Sequence, residues 1–305
     1  MEQMRYYSAG RYYRAVFGKP MQKAALDAGC TCPNLDGTCG TKGCIFCDGG
    51  SGTFTHSGSI TRQLEQEARR ISAAHPEAGI LAYFQAHTNT YAPLPVLREK
   101  FEQALCFPNA VGLAIATRAD CISDEVADYL GELARRTYLE VELGLQTIHD
   151  ATGERINRCH SYADFLTGYH KLQKRGINVC VHIIDGLPGE THEMMLQTAQ
   201  ALSQLQLHSI KIHLLHLLKG TRMAEKYARG EFALLSREEY VQIVCDQLEL
   251  LPPELVVQRL TGDGERESLI GPMWSLKKLV VMNEIDKELA RRDSWQGRHF
   301  SPAHV

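Results

Sequence analysis

Five of the ten cysteines fall within eighteen residues, in the stretch Cys30-Thr-Cys32-Pro-Asn-Leu-Asp-Gly-Thr-Cys39-Gly-Thr-Lys-Gly-Cys44-Ile-Phe-Cys47. Thiols gathered this closely in one polar, glycine-containing stretch more often bind metal than form a disulfide framework, and they point to a reducing, cytoplasmic compartment. Structural zinc wants four N/S ligands, often as two separated pairs. Here only Cys44-x-x-Cys47 is a clean pair, and no histidine follows at finger-like spacing. Three thiolates among glycines suit an iron–sulfur cluster, because bare backbone lets N–H groups approach the cluster sulfurs. Spacing alone leaves two triads open: Cys32, Cys44 and Cys47, or Cys39, Cys44 and Cys47. Cys106, Cys121, Cys159, Cys180 and Cys245 are scattered and read as small buried residues.

Other polar residues fall where strands end. Glu142 alternates with Gly144 and Gln146 and so points to the same side of a strand; a buried carboxylate there needs a partner, for which Lys211 is the candidate. Arg158 reads either as a ligand-binding guanidinium or as a helix partner of Glu154. His182 reads either as a site residue or as a hydrogen-bonded core histidine. His213 and His216 have metal-like spacing, but substrate or core contacts suit them better.

The elements that position these residues alternate. Strands are expected at Gln22–Leu26, Gly79–Phe84, Gly112–Ala116, Tyr138–Leu143, Asn178–Ile184 and Ser209–Leu214. Helical patterns occupy Ser59–Ala74, Leu94–Ala104, Ser123–Arg135, Tyr162–Arg175 and Glu190–Leu205, with Ser123 and Ser161 as N-caps and Gly176 as a C-cap. Such alternation predicts an α/β fold of parallel βα units with right-handed crossovers. Six units fall short of a closed eight-stranded barrel, so an open partial (βα)6 barrel is expected. The expected division is a basic aromatic segment at 1–21, the barrel at 22–215, and a C-terminal α/β extension at 216–305 with a helix at Ser236–Leu250 and a strand at Leu255–Arg259.

Composition narrows the function classes. With 33 Lys+Arg against 36 Asp+Glu and a net charge of -3, the chain is no dedicated electrostatic nucleic-acid binder. No run of eighteen apolar residues predicts a membrane span, and the N-terminus lacks the apolar core of a signal peptide. Residues 1–23 hold five cations against Glu2, a local charge of +4 that leaves -7 for the rest. Tyr6, Tyr7, Tyr12, Tyr13 and Phe17 interleave with them. This segment is either a nucleic-acid contact arm or, as is commoner for a terminal helix, an amphipathic helix packed on the body.

Read together and in order, the motifs resemble the radical S-adenosylmethionine (SAM) superfamily, in its YhcC/YtqA-type branch related to the catalytic subunit of Elongator. The resemblance rests on Cys32-Pro-Asn-x-Asp-Gly-Thr and Gly43-Cys-x-Phe-Cys47, with eleven residues between Cys32 and Cys44 in place of the superfamily's commoner three. Leu35 stands where the branch would lead one to expect Arg. The resemblance continues through Tyr83-Phe-Gln-Ala-His-Thr-Asn-Thr-Tyr-Ala-Pro93, Thr117-Arg-Ala-Asp120, Glu142-Leu-Gly-Leu-Gln146 and His182-Ile-Ile-Asp-Gly-Leu-Pro-Gly-Glu190. It ends in Lys211-Ile-His-Leu-Leu-His216, Arg259-Leu-Thr-Gly-Asp263 and Pro272-Met-Trp-Ser275.

The resemblance implies a radical SAM barrel in which Cys32, Cys44 and Cys47 hold a [4Fe-4S] cluster and SAM binds its open iron. Phe46 would lie beside the adenine, and Thr88 and Asn89 near the methionine amine. Thr117 and Arg118 would close the third strand over the cofactor. By likeness to the oxygen-independent coproporphyrinogen oxidases, Gln146 and Arg158 would contact SAM, Arg158 through its carboxylate, and His182 would bind the ribose. The implied chemistry is reductive cleavage of SAM to a 5'-deoxyadenosyl radical that takes hydrogen from a substrate. The implied substrate is a tRNA wobble uridine, converted from the carboxymethylaminomethyl to the aminomethyl form, with a reductase, flavodoxin or ferredoxin as electron donor. Competing readings are a radical SAM oxidoreductase acting on a small metabolite or porphyrin-like molecule, and a structural zinc module.

Overall fold

The computed structural model describes residues 5–48, 55–85, 87–262, 264 and 266–302. Ala86 and Asp263, each part of a motif quoted above, lie outside the described residues. The chain runs α1 (Ala9–Phe17), β1 (Met21–Leu26), α2 (Ile60–Ala74), β2 (Gly79–Phe84), α3 (Leu94–Leu105), β3 (Ala110–Thr117), α4 (Asp124–Arg136) and β4 (Tyr138–Gln146). It continues with α5 (Asp150–Arg155), α6 (Tyr162–Gln173), β5 (Asn178–Asp185), α7 (His192–Ser203), β6 (Ser209–Leu214) and β7 (Leu217–Leu218). The last elements are α8 (Arg222–Ala228), α9 (Arg237–Leu250), β8 (Val256–Arg259), β9 (Leu269–Gly271) and α10 (Lys278–Arg291).

The parallel sheet is ordered β1-β2-β3-β4-β5-β6-β8 and curls into a half-barrel. It has seven strands, one more than the alternation predicts. The extra strand is β8, which pairs in parallel with β6 through Ser209–Val256 and Ile210–Val257. It is the strand expected at Leu255–Arg259, but it joins the barrel sheet instead of standing in a separate C-terminal extension. Serine and threonine N-caps set the helix starts: Ser123 accepts from Val126 N–H, and Ser161 forms a full capping box with Asp164. Gly176 takes the left-handed conformation (φ 68°) expected after α6.

An open sheet has two exposed edges, and each must be managed. On β1, the amides of Ala25 and Asp27 donate to Glu67 and Gln63 of α2. On β8, Val257 N–H donates to the Tyr7 carbonyl at 2.8 Å. The N-terminal segment thus closes the fold. Tyr6 and Tyr13 are buried, and Tyr13 packs with Met21 and Leu81. The Tyr12 ring stands 4.8 Å from His208, and Phe17 packs edge-on at 5.2 Å from Tyr138. These contacts lie at the N-terminal ends of the strands. Tyr6 and Tyr13 are buried and Tyr7, Tyr12 and Phe17 half-buried, so the segment forms the amphipathic helix packed on the body.

Candidate functional site: a cysteine-lined cavity and the buried ion-pair network behind it

Every loop that follows a strand of a parallel barrel opens at the same mouth. The cysteine loop follows β1 and is held both by apolar packing, with Ile45 buried against Ile156, Leu187 and Met223, and by side-chain amides. Asn34, fully buried, donates to the Asn157 carbonyl and lies 3.6 Å from the Cys44 sulfur. Asn157 returns the contact by donating to Gly43 O at 2.7 Å, and Arg222 donates to the same carbonyl. Gly40 permits this closeness: a Cβ there would collide with Asn34 Oδ1 and the Cys159 sulfur. Neither Asn34, within the Cys32-Pro-Asn motif, nor Asn157 stands out from spacing, because each acts through backbone distant in sequence.

Cys32, Cys44 and Cys47 line one cavity of about 240 Å³, together with Phe46, Thr88, Thr117, Arg118, Glu142, Gln146, Arg158 and His182. Ten of the eleven residues to which the resemblance gives a cluster or SAM role therefore meet here, together with Glu142. Asn89 is the exception. It is fully buried and its amide spans the ends of β2 and β3, donating to the carbonyls of Phe84 (3.1 Å) and Ala116 (2.9 Å). Cys39 is exposed and does not line the cavity, and Cys30 is buried in the core. Of the two triads that spacing allows, the one with Cys32 shares a cavity.

The arginines are committed to their own chain. Arg158 is 1% exposed and donates to the carbonyls of Leu145 (2.7 Å), Thr147 (2.5 Å) and His160 (2.9 Å) and to Asp150 (3.1 Å). Its carboxylate partner is Asp150, not Glu154. Arg118 pairs bidentately with Asp120 and donates to the Arg158 carbonyl at 2.8 Å. These contacts shape the cavity wall around the turn after β4. Gln146 sits there at φ 66°, just past a register shift against β5, and Gly144 leaves room for its amide. His160 also faces the cavity; burial first, then Arg158 and Arg118, push its imidazole down to about 4.

Behind this wall, Glu142 collects four donors. Lys23 and Lys211 (2.6 Å) bind its two oxygens, and Tyr83 Oη (2.8 Å) and His182 Nε2 (2.7 Å) complete the shell. The pairing of Glu142 with Lys211 agrees with the sequence expectation. Lys23 and Tyr83 are additions that the alternation of β1 and β2 would reveal only once those strands were known to face β4. Burial would raise the Glu142 carboxyl, but Lys211 and Lys23 outweigh it and hold it well below the usual range. Burial and then Lys211 depress His182, and burial depresses His213 further, so both rings are neutral near pH 7. His213 stacks 5.1 Å from His182 as a core neighbour. Glu140, next inward on β4, is held by Lys23, Gln258 and Ser209.

The donor set can be tested against a metal group. A tetrahedral zinc brings its thiolates within about 4 Å of one another. Among the described residues, only Glu142, Cys180 and His182 bring three ligand atoms within 4.8 Å, and there the lysines already neutralise the carboxylate. The three loop cysteines face one cavity at wider separation, as a multi-iron cluster requires, and an amide N–H approaches one sulfur. The residues present fit such a cluster.

Comparison with known proteins defines the class. The radical SAM superfamily matches residues 37–202, and the Radical_SAM C-terminal domain matches residues 207–291. This chain belongs to the radical SAM superfamily and to its enzyme fold. Within it, the chain is 50% identical over 299 residues to YtqA of Bacillus subtilis, covering 97% of this chain and 93% of that protein. It is also 27% identical over 156 residues to the tRNA uridine(34) acetyltransferase of Methanocaldococcus infernus, half of this chain but only 29% of that protein. The structure of the M. infernus Elp3 lacking residues 1–46 has the same fold, with a TM-score of 0.69 at 17% identity over 90% of this chain and 64% of that one. The Elongator-related branch is thus the one to which the sequence and fold point.

Proposed function

We propose that this chain is a radical SAM enzyme that converts the carboxymethylaminomethyl side chain of a tRNA wobble uridine to aminomethyl: the methylene between nitrogen and carboxylate would lose a hydrogen atom and one further electron, with SAM as the oxidant, and water would cleave the resulting imine to the amine and glyoxylate. Cys32, Cys44 and Cys47 would hold a [4Fe-4S] cluster, with SAM in the cavity lined by Phe46, Thr88, Thr117, Arg118, Gln146 and His182. When bound, the cluster and SAM supply a one-electron reduction that yields a carbon radical able to take hydrogen from an unactivated C–H bond. The chain's own work is placement and exclusion of water. Glu142 fixes His182 on the SAM side and Lys211 and Tyr83 on the other.

The observation that carries the reading is a second cavity of about 850 Å³, at the open seam between β1 and β8. It shares Gln85 with the cysteine cavity and has room for a nucleoside beside it. Support for uridine comes from the relatives acting on tRNA uridine 34. The test is anaerobic incubation of the reconstituted protein with tRNA carrying the carboxymethylaminomethyl group, followed by mass spectrometry of the nucleosides. Appearance of aminomethyluridine supports the reading, and unchanged nucleosides under conditions where SAM is cleaved oppose it.

One observation favours a small-molecule substrate instead. Of the cations that could form a tRNA-facing patch, Arg136 is paired bidentately with Glu102, Arg175 with Asp128, and Lys171 with the Ile122 carbonyl. Lys219 donates to the Glu267 carbonyl. RNA binding that is weak and independent of salt would select that reading.

A further inference from the structure

We propose that Asn34 is a positioning residue for the cluster: its side-chain amide donates to the Cys44 sulfur and raises the potential at which the cluster accepts an electron. This rests on the reading of Cys32, Cys44 and Cys47 as the cluster ligands and is independent of the substrate.

Asn34 is 0% exposed and sits in a stretch whose successive carbonyls are all spent. Cys32 O accepts from Leu35 N–H (2.8 Å), Pro33 O from Cys39 N–H (2.9 Å) and Asn34 O from Gly43 N–H (2.7 Å). The backbone around Cys44 is pinned on both sides. Gly43 O accepts from Asn157 and Arg222. Ile45 N–H donates to Ile156 O, and Ile45 O accepts from Met223 N–H, each at 2.9 Å. Amide and sulfur are thus held in place by contacts of the main chain.

Only one orientation of the amide serves. Its Nδ2 carries two hydrogens, and one goes to the Asn157 carbonyl at 2.5 Å. The other goes to Cys44 Sγ, 3.6 Å away. Turned over, the amide would set its oxygen against a carbonyl and a thiolate, two acceptors with nothing to donate. In the orientation observed, Oδ1 is buried and has no partner among the described residues. It faces Gly40, where a Cβ would collide with it. A buried acceptor left unpaired is a cost that calls for an explanation. The N–H on sulfur supplies one. Asn89, by contrast, spends its amide on two carbonyls and touches no sulfur.

The consequence is electrostatic. Reduction adds negative charge that an iron–sulfur cluster shares with its cysteine sulfurs. A donor on one of those sulfurs stabilises the reduced form more than the oxidised form. Asn34 therefore eases entry of the electron at the Cys44 side.

The experiment is an EPR-monitored redox titration of the anaerobically reconstituted full chain, with iron and sulfide measured in each variant. Asn34→Leu keeps nearly the same shape and removes the N–H. It should assemble the cluster and shift its potential downward. At a fixed poise the ratio of reduced to oxidised cluster should fall at least threefold, about 28 mV for a one-electron couple. Asn157→Ala removes a brace of Gly43 but leaves the carbonyl that Asn34 uses. It should lower the melting temperature and leave the potential unchanged, which separates tuning from loop support. If Asn34→Leu holds no cluster, the wild type decides alone. With the side-chain amide nitrogen of asparagine isotopically labelled, pulsed EPR of the reduced cluster should show a nitrogen coupling, and Asn157→Ala should keep it. An unshifted potential in a fully loaded Asn34→Leu, an equal shift in Asn157→Ala, or no nitrogen coupling in the wild type overturns the proposal and leaves the cluster reading standing. A wild type that takes up no iron and sulfide overturns both.

Discussion

Four donors converge on Glu142, and two of them are ammoniums, of which Lys23 also meets Glu140 at 2.9 Å. Removing one member of such a buried set leaves the others uncompensated. Glu142→Gln should therefore destabilise the fold by about 3–5 kcal/mol at pH 7, read by urea unfolding. The pH dependence follows from the depressed carboxyl. Its contribution is full above the unfolded value of about 4.3 and is lost as pH falls through the lower folded value. The gap between wild type and Glu142→Gln should accordingly narrow below about pH 4; a constant gap would mean that the carboxylate's charge is not what matters. At the cysteines, Cys44→Ala should abolish cluster assembly, seen as loss of the visible iron–sulfur absorption, whereas Cys39→Ala should retain it. Retention in the first or loss in the second would reassign the triad. Residue types alone exposed the cysteines, Glu142 and its lysine, because like thiols in a loop and a carboxylate on a strand both demand partners. Lys23, Asn34 and Tyr83 were not legible in the same way: an isolated lysine, amide or phenol acquires a role only from the strands and loops opposite it.

The turn between β4 and α6 depends on one guanidinium. Arg158 ties Leu145, Thr147 and His160 together and meets Asp150, so its fork geometry holds the cavity wall. Arg158→Lys keeps the charge and loses the fork. It should lower the melting temperature by several degrees, which corresponds to about 1–3 kcal/mol. An unchanged melting temperature with weakened SAM binding would instead support the direct carboxylate contact that the sequence resemblance implies, since Arg158 also lines the cavity. β5 offers a second test. Asp185 is buried against Gln247, and burial raises its carboxyl to about 7. A raised group stabilises fully below its unfolded value of about 3.9, and that stability is lost as pH rises toward 7. Asp185→Asn should thus be more stable than wild type at pH 8, with the advantage shrinking toward pH 4; no pH-dependent difference would contradict this. Six strands and five helices were legible because periodicity and caps agree. β8 was legible as a strand at Leu255–Arg259 but was assigned to the C-terminal extension, since its parallel pairing with β6 crosses a long stretch of chain and leaves no trace in local sequence.

Over the whole molecule, α1 plugs the foot of the half-barrel while the cysteines open at its head. Charge and aromatic content could not choose between an RNA arm and a packed helix, because both use the same residues; what decides is that β8 and β1 need a cover. Tyr13→Ala should cost about 3 kcal/mol of stability, and replacing exposed Arg11 and Arg14 by Ala should leave tRNA binding unchanged. The seam left between the sheet edges then becomes the route to the interior, and no helix of the described residues is long and apolar enough to cross a membrane. The central claim is that cysteine cavity and seam cavity form one radical enzyme acting on a modified tRNA uridine. The most direct measurement is 5'-deoxyadenosine formation by the anaerobically reconstituted protein, with and without tRNA bearing carboxymethylaminomethyluridine. The account predicts strong stimulation by that tRNA, absent with fully aminomethylated tRNA and absent in Cys44→Ala. Slow formation indifferent to tRNA would contradict the substrate, and a protein that binds zinc but never a cluster, and forms no 5'-deoxyadenosine, would contradict the chemistry.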